Sequence, residues 1–171
     1  MHSIAIPSHI TERLILRPFK MADAGILFDI VNEPDIFQFF PSKSAWSLEM
    51  CERYINYQTR HWEKIGYGHW AVTLAKTDQL IGWCGLEFLP DSKETEVGYL
   101  LSKPFWNRGY ATEAASASVQ YGQKTMRLQE IIGLTDPLNL ASQRVLEKSG
   151  LIFTRKQVYF GMEMLRFSTQ A

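Results

Sequence analysis

Thr95-Glu96-Val97-Gly98-Tyr99-Leu100-Leu101-Ser102, followed closely by Trp106-Asn107-Arg108-Gly109-Tyr110-Ala111-Thr112-Glu113-Ala114, changes character twice in a short distance. The first part carries β-branched and aromatic residues around a bend-tolerant Gly98, which predicts a strand. The second runs into a segment rich in Ala, Glu, Gln and Ser, which predicts a helix from about Thr112 to Thr125. Ala111, Ala115, Ser118 and Gly122 fall at helical spacing, so one face is nearly bare and can lie close on a sheet. Between them lies a turn with Arg108 and Gly109. A strand, a glycine turn and a helix N-terminus offer a place for phosphate, because the amides of the first helical turn lack partners and the helix dipole favours negative charge. Gly109 would let the backbone approach closely, and Arg108 would add charge. The same glycine also fits an ordinary turn.

Upstream, Leu80 to Leu89 is apolar on both faces, as in a strand covered on two sides. Pro90-Asp91-Ser92-Lys93 suits a hairpin turn joining it to the strand from Glu94. If Leu89 faces Glu94, the register sets Glu87 opposite Glu96. Like charges there cost stability. Such a pair raises a carboxylate pKa, which suits a general base; a solvated strand end or a register slipped by one residue would serve no such purpose.

Before that hairpin, Thr11 to Pro18 reads as a strand with Leu14 and Leu16 on its buried face. Met21 to Asn32 carries an apolar stripe at helical spacing and stops before Pro34. Ile36-Phe37-Gln38-Phe39-Phe40-Pro41 reads as a loop, either a plug over the core or a wall of an acceptor pocket. Ser47 is a candidate N-cap for a helix to about Lys64, with Cys51, Ile55, Gln58 and Trp62 on one face. His69 to Ala75 alternates as a strand. Past the central helix, Glu130 to Thr135 reads as a short strand, and Asn139 as the cap of a helix to Ser149. Gly150 then supplies a left-handed stop with Leu151 packing back near Leu146. Two β-rich runs, about Ile152 to Tyr159 and Phe160 to Phe167, close the chain. No repeat or linker interrupts it, so one domain over residues 1–171 is expected.

The 171 residues can close one core, and 46% hydrophobic composition can fill it. Eighteen basic and eighteen acidic residues cancel, leaving no global field for nucleic acid or an anionic membrane. Met1-His2-Ser3-Ile4-Ala5-Ile6-Pro7 lacks the basic and apolar regions of a signal peptide, and no run is long enough to span a bilayer. Cys51 and Cys84 are too few for a disulfide framework and read as buried thiols, so a cytoplasmic location is expected. His2, His9, His61 and His69 have no metal-like spacing, and no metal site is expected.

The wording of two segments goes further. Glu96-Val97-Gly98-Tyr99 with Trp106 to Ala114 resembles the acetyl-CoA motif of the GNAT superfamily of N-acetyltransferases, in the branch of the ribosomal-protein N-terminal and spermidine acetyltransferases. The general pattern is Gln or Arg, two residues, Gly, one residue, then Gly or Ala. Trp106 departs from it at the first place but suits the narrower branch, while Gly109 and Ala111 match. Asn139-Leu140-Ala141-Ser142, continuing to Gly150, is similar to the family's second cofactor motif.

The resemblance implies an α/β fold: a mixed, mostly antiparallel twisted sheet of about seven strands with about four helices, in which two neighbouring strands splay to admit the cofactor. Tyr99, Leu100 and Leu101 would offer backbone groups to the pantetheine arm of acetyl-CoA. Asn107, Arg108, Gly109, Tyr110, Ala111 and Thr112 would wrap the pyrophosphate, and Asn139 and Ser142 would hold the arm from the other side. It also implies acetyl transfer to a primary amine by direct attack on the thioester. Many members protonate the leaving thiolate with a tyrosine seven residues after the motif Asn; here that place is Leu146, and Ser142 matches the serine that replaces it in this branch.

Attack requires a neutral amine. At pH 7 the neutral fraction is of order 0.04% for a lysine-like amine and about 10% for an α-amine, so a base matters far more for the former. Glu96 is the candidate, with Glu87 as the alternate. An acidic mouth of Glu87, Glu94 and Glu96 would favour a cationic acceptor, whether a protein N-terminus or a small molecule. A catalytically idle acyl-CoA-binding module on the same fold, its acceptor side closed by Phe37 to Phe40, is the competing reading. The apolar tail strands leave homodimerisation open.

Overall fold

The computed structural model describes residues 5–170; the expectation placed on Met1 to Ile4, and His2 with it, lies outside them. The described residues form one eight-stranded sheet, made of β1 (His9–Ile10), β2 (Leu14–Arg17), β3 (His69–Leu74), β4 (Leu80–Leu89), β5 (Glu94–Leu101), β6 (Ile132–Thr135), β7 (Ile152–Tyr159) and β8 (Met162–Ser168). The spatial order is β1-β2-β3-β4-β5-β6-β8-β7. One more strand is present than the sequence suggests, because His9 and Ile10 pair with Leu16 and Ile15. Four α-helices accompany the sheet: α1 (Ala24–Val31), α2 (Leu48–Ile65), α3 (Tyr110–Gln120) and α4 (Leu140–Lys148).

Local chemistry explains the helix ends. The Ser47 hydroxyl accepts from the Met50 amide, and α2 buries Cys51, Ile55, Gln58 and Trp62, the face its spacing predicts. The Asn139 side chain accepts from the Ser142 amide at the start of α4. At its end Leu151 N–H donates to Leu146 and Gly150 N–H to Glu147, the paired bonds of a Schellman stop, with Gly150 at φ 92°. The central helix begins two residues earlier than its composition suggests, directly after Gly109, and its last turn, Tyr121–Thr125, widens into a π-helix.

Two layers of core result. Below α3, the buried Ala115, Ser118 and Gly122 bring the helix close onto β4; a Cβ on Gly122 would stand 2.7 Å from the Leu86 side chain. On the opposite face α1 and α2 pack Leu27, Val31, Cys51 and Ile55 against Ala71 and Trp83. Both cysteines are free and buried.

One hairpin and one gap position the site. β5 pairs antiparallel with β4 along its whole length, with Leu89 opposite Glu94 and Glu87 opposite Glu96. β5 and β6 run parallel and pair only at Glu96 with Ile132; beyond that point Tyr99, Leu100 and Leu101 have no strand partner on that side. No helix of the described residues is long and apolar enough to cross a membrane.

A latch absent from the sequence reading ties the first hairpin to the start of α3. Glu113 accepts from the Thr11 hydroxyl at 2.6 Å, the Arg13 amide at 2.8 Å and the Arg13 guanidinium at 2.7 Å. Burial pushes its carboxyl up, but these donors outweigh burial and hold it below its ordinary value. The latch therefore stabilises above the unfolded carboxylate pKa and is lost as pH falls through the folded one. Replacing Glu113 by Gln should cost about 1–2 kcal/mol at neutral pH, a charged hydrogen-bond cluster discounted for the exposure of Arg13. Urea denaturation should show the difference from the parent protein shrinking below about pH 4.

Candidate active site

The gap between β5 and β6 opens into two cavities. One, of about 620 Å³, is lined by Tyr99, Leu100 and Leu101, by Asn107 and Gly109 to Thr112, and by Asn139 to Ser142. The other, of about 470 Å³, contains Glu87, Glu96, His69 and Asp136 among aromatic side chains. Tyr99, Asn139, Ser142, Phe39 and Phe40 line both. The two spaces adjoin across these side chains.

The larger cavity suits a long, anionic cofactor. Asn107 and Gly109 adopt left-handed backbone at φ 58° and 79°, folding the turn over the start of α3. No side chain caps that helix, so its first-turn amides remain free for an anion. Trp106 donates its indole N–H to the Leu101 carbonyl at 2.6 Å, so this departure from the general motif braces the turn. That bond also takes the Leu101 carbonyl, and the Leu100 carbonyl turns toward β4 beside Gly82, so on this edge of β5 the Tyr99 carbonyl is the one left without a strand partner beyond the splay.

Arg108 is exposed and is not among the residues lining the cavity, and its carbonyl accepts from Arg13. Arg13 lies 4.4 Å over the Tyr110 ring, with a guanidinium nitrogen 3.3 Å from where a Gly109 Cβ would stand. Arg144 and Lys148 also line the cavity and escaped the sequence reading; their four-residue spacing on one helix face was the available signal.

In the smaller cavity Glu96 and Glu87 oppose each other across the hairpin. Burial, reinforced by the Glu87 charge and more weakly by Glu94, pushes the Glu96 carboxyl up to about 8, although the Leu134 amide pulls the other way. Glu96 is half-buried and lines the cavity. Glu87 accepts from the Tyr57 hydroxyl at 3.0 Å.

Glu94 does not join this mouth. It accepts from the Tyr159 hydroxyl at 2.8 Å and from Arg166 at 2.9 Å, and against the effect of burial these donors hold it below the usual range. Asp136 takes its place on the wall.

Ser142 lines both cavities, with its hydroxyl 2.7 Å from that of Tyr99. The Tyr99 side chain is a site residue that sequence reasoning missed, having assigned it a backbone role only. Burial pushes its phenol well up, so it stays a protonated donor. Leu146 is core instead, 1% exposed and packed under Gly133.

Residues 13–152 match the family described as an acetyltransferase (GNAT) domain. The chain belongs to the GNAT acetyltransferases. It is 29% identical over 151 residues to YnaD, an uncharacterized N-acetyltransferase of Bacillus subtilis, with 88% of this chain and 84% of the relative covered. A crystal structure of an acetyltransferase from Agrobacterium tumefaciens is similar at a TM-score of 0.84 and 28% identity, covering 96% of this chain and 95% of that one. RimL, a ribosomal-protein alpha-N-acetyltransferase solved in complex with coenzyme A, is similar at a TM-score of 0.79 and 15% identity, covering 95% and 96%. At that identity the likeness shows the fold alone, and it is a fold shared with the Rim-type branch. The acyl donor of the family is acetyl-CoA.

Gly109→Val places a β-branched residue at φ 79° and a side chain against Arg13. The variant should remain folded by circular dichroism and lose coenzyme A affinity by about a hundredfold or more in calorimetry, the scale of several lost anion contacts.

Proposed function

We propose that this GNAT chain transfers the acetyl group of acetyl-CoA to a cationic primary amine held in the 470 Å³ cavity, by direct attack with Glu96 as base. The observation that carries this reading is that the two cavities adjoin across the Tyr99–Ser142 hydroxyl pair, with Glu96 on the acceptor side. Acetyl-CoA, when bound, would supply an activated acyl carbon and a thiolate leaving group.

The chain's own residues supply the rest. Glu87 and Asp136 draw an ammonium into a cavity that no Lys or Arg lines, and the aromatic wall excludes water around it. The arriving positive charge favours ionised Glu96, which then takes the proton the amine must lose. A base near pH 8 is well matched to this transfer, since proton-transfer efficiency is greatest when the pKa lies near the working pH. On the far side the Tyr99–Ser142 pair would return a proton to the departing sulfur. A thiol has a reference pKa of about 8.5, so this acid need only be weak, and positioning would carry more of the rate.

The acceptor cavity favours an enzyme over an idle binding module, for which Phe37 to Phe40 would have to close it. Phe37, Phe39 and Phe40 line its wall instead. Both a protein N-terminus and a small cationic amine fit the charge of the site. Buried, free thiols agree with a reducing compartment.

Thiol release from acetyl-CoA over peptide N-termini, spermidine and an aminoglycoside tests the reading. Turnover with at least one class is expected, rising with pH to a plateau above about 8. Glu96→Gln should lower kcat for a lysine-like amine by about 10²–10⁴-fold and remove that inflection, with coenzyme A affinity nearly unchanged. Confirmed cofactor binding with no turnover on any amine would favour the idle module, and an unmoved pH profile would transfer the base to Glu87 or solvent.

A further inference from the structure

His69 begins β3 at the back of the acceptor cavity, and every polar atom but one is accounted for. Its backbone N–H donates to the Gln58 side-chain oxygen at 2.8 Å, and its carbonyl accepts from the Trp62 indole at 3.1 Å. The first bond orients the Gln58 amide, since a backbone N–H can meet only the oxygen. The amide nitrogen is therefore the atom 3.3 Å from His69 Nδ1, and it can only donate. The Tyr54 hydroxyl lies 2.7 Å from the same Nδ1. Nδ1 thus accepts, and the proton of the neutral ring sits on Nε2.

That Nε2–H has no partner, although the side chain is only 9% exposed. It points toward Gly98 and Glu87, both on the cavity wall, and the nearest Glu87 oxygen is 3.7 Å away, beyond hydrogen-bond reach. A buried donor without an acceptor is costly and calls for an occupant. The occupant's charge is constrained as well. With Glu87 and Asp136 on the wall and no Lys or Arg, a carboxylate or phosphate would be repelled.

We infer that the acceptor carries, beside its amine, a neutral oxygen, a carbonyl or hydroxyl, that accepts the hydrogen bond of His69 Nε2–H. This rests on the acceptor reading of the cavity and narrows it: amides, peptide N-termini and amino alcohols are favoured, and free amino acids are disfavoured. Burial lowers the imidazole pKa against the opposing pull of Glu87, which keeps the ring neutral and the single donor in place.

A matched series isolates the oxygen: phenylalaninamide, free phenylalanine, 1-phenylpropan-2-amine, and a tripeptide amide with the same first residue. The amide should exceed the oxygen-free amine in kcat/KM by about tenfold, and free phenylalanine should fall below both. The tripeptide decides whether the carbonyl belongs to a small molecule or to a peptide N-terminus. In His69→Leu the ratio of amide to oxygen-free amine should collapse toward one, and His69→Gln, which keeps an N–H near the Nε2 place, should restore part of it. Because each ratio is taken within one variant, loss of folded protein cancels. Equal losses on both amines would show that Nε2–H serves Glu87 instead and would overturn the inference, as would a preference for the carboxylate. If no amine turns over, the enzyme reading fails separately; calorimetric binding of the same series to the coenzyme A-loaded protein then reads the same ratio. Nitrogen-15 shifts of the free protein must show the Nε2–H tautomer, and the Nδ1–H form would refute the assignment.

Discussion

Everything functional in this molecule depends on β5 and β6 touching at one residue pair. Parallel strands ordinarily continue side by side, because each backbone amide and carbonyl needs a partner. Here pairing stops at Glu96 and Ile132, and the edge of β5 beyond it faces a gap. The cost is a set of unpaired backbone groups inside the protein. The gain is room for two cavities that share a wall at Tyr99, Asn139 and Ser142.

Electrostatics follow from the same geometry. Because β4 and β5 stay in register to the end of their hairpin, Glu87 is fixed opposite Glu96. Glu96, at the point of the splay, has lost much of its solvent, and the second carboxylate adds to the effect. The outer acidic residue, Glu94, is drawn off by Arg166 and Tyr159. The cavity is thus negative where an ammonium would enter, while Arg13, Arg144 and Lys148 stand on the side that suits phosphate.

Rigid supports surround the gap. The Glu113 latch holds the start of α3, the Trp106 indole holds the turn before it, and Asn139 caps the helix carrying Ser142. Chemistry that depends on positioning requires such supports, since small displacements of reacting groups are expensive.

Much of this was legible in the chain. The Ser47 and Asn139 caps, the Gly150 stop and the hairpin register are local matters, set by residues close in sequence, and each is found as read, while helix bounds shifted by two or three residues at the starts of α1 and α3. The two cofactor motifs are likewise short and contiguous. Tertiary structure alone decided what distant residues do to one another. It set the Tyr99 hydroxyl against Ser142, 43 positions apart, and Arg13 beside Gly109, and it left Arg108 exposed. It also gave His69 its tautomer through Gln58 and Tyr54, and removed Glu94 from the acceptor mouth. The physical reason is that charge, desolvation and hydrogen-bond partnership act through space, and sequence patterns encode spacing along a strand or helix but not which distant side chains share a cavity.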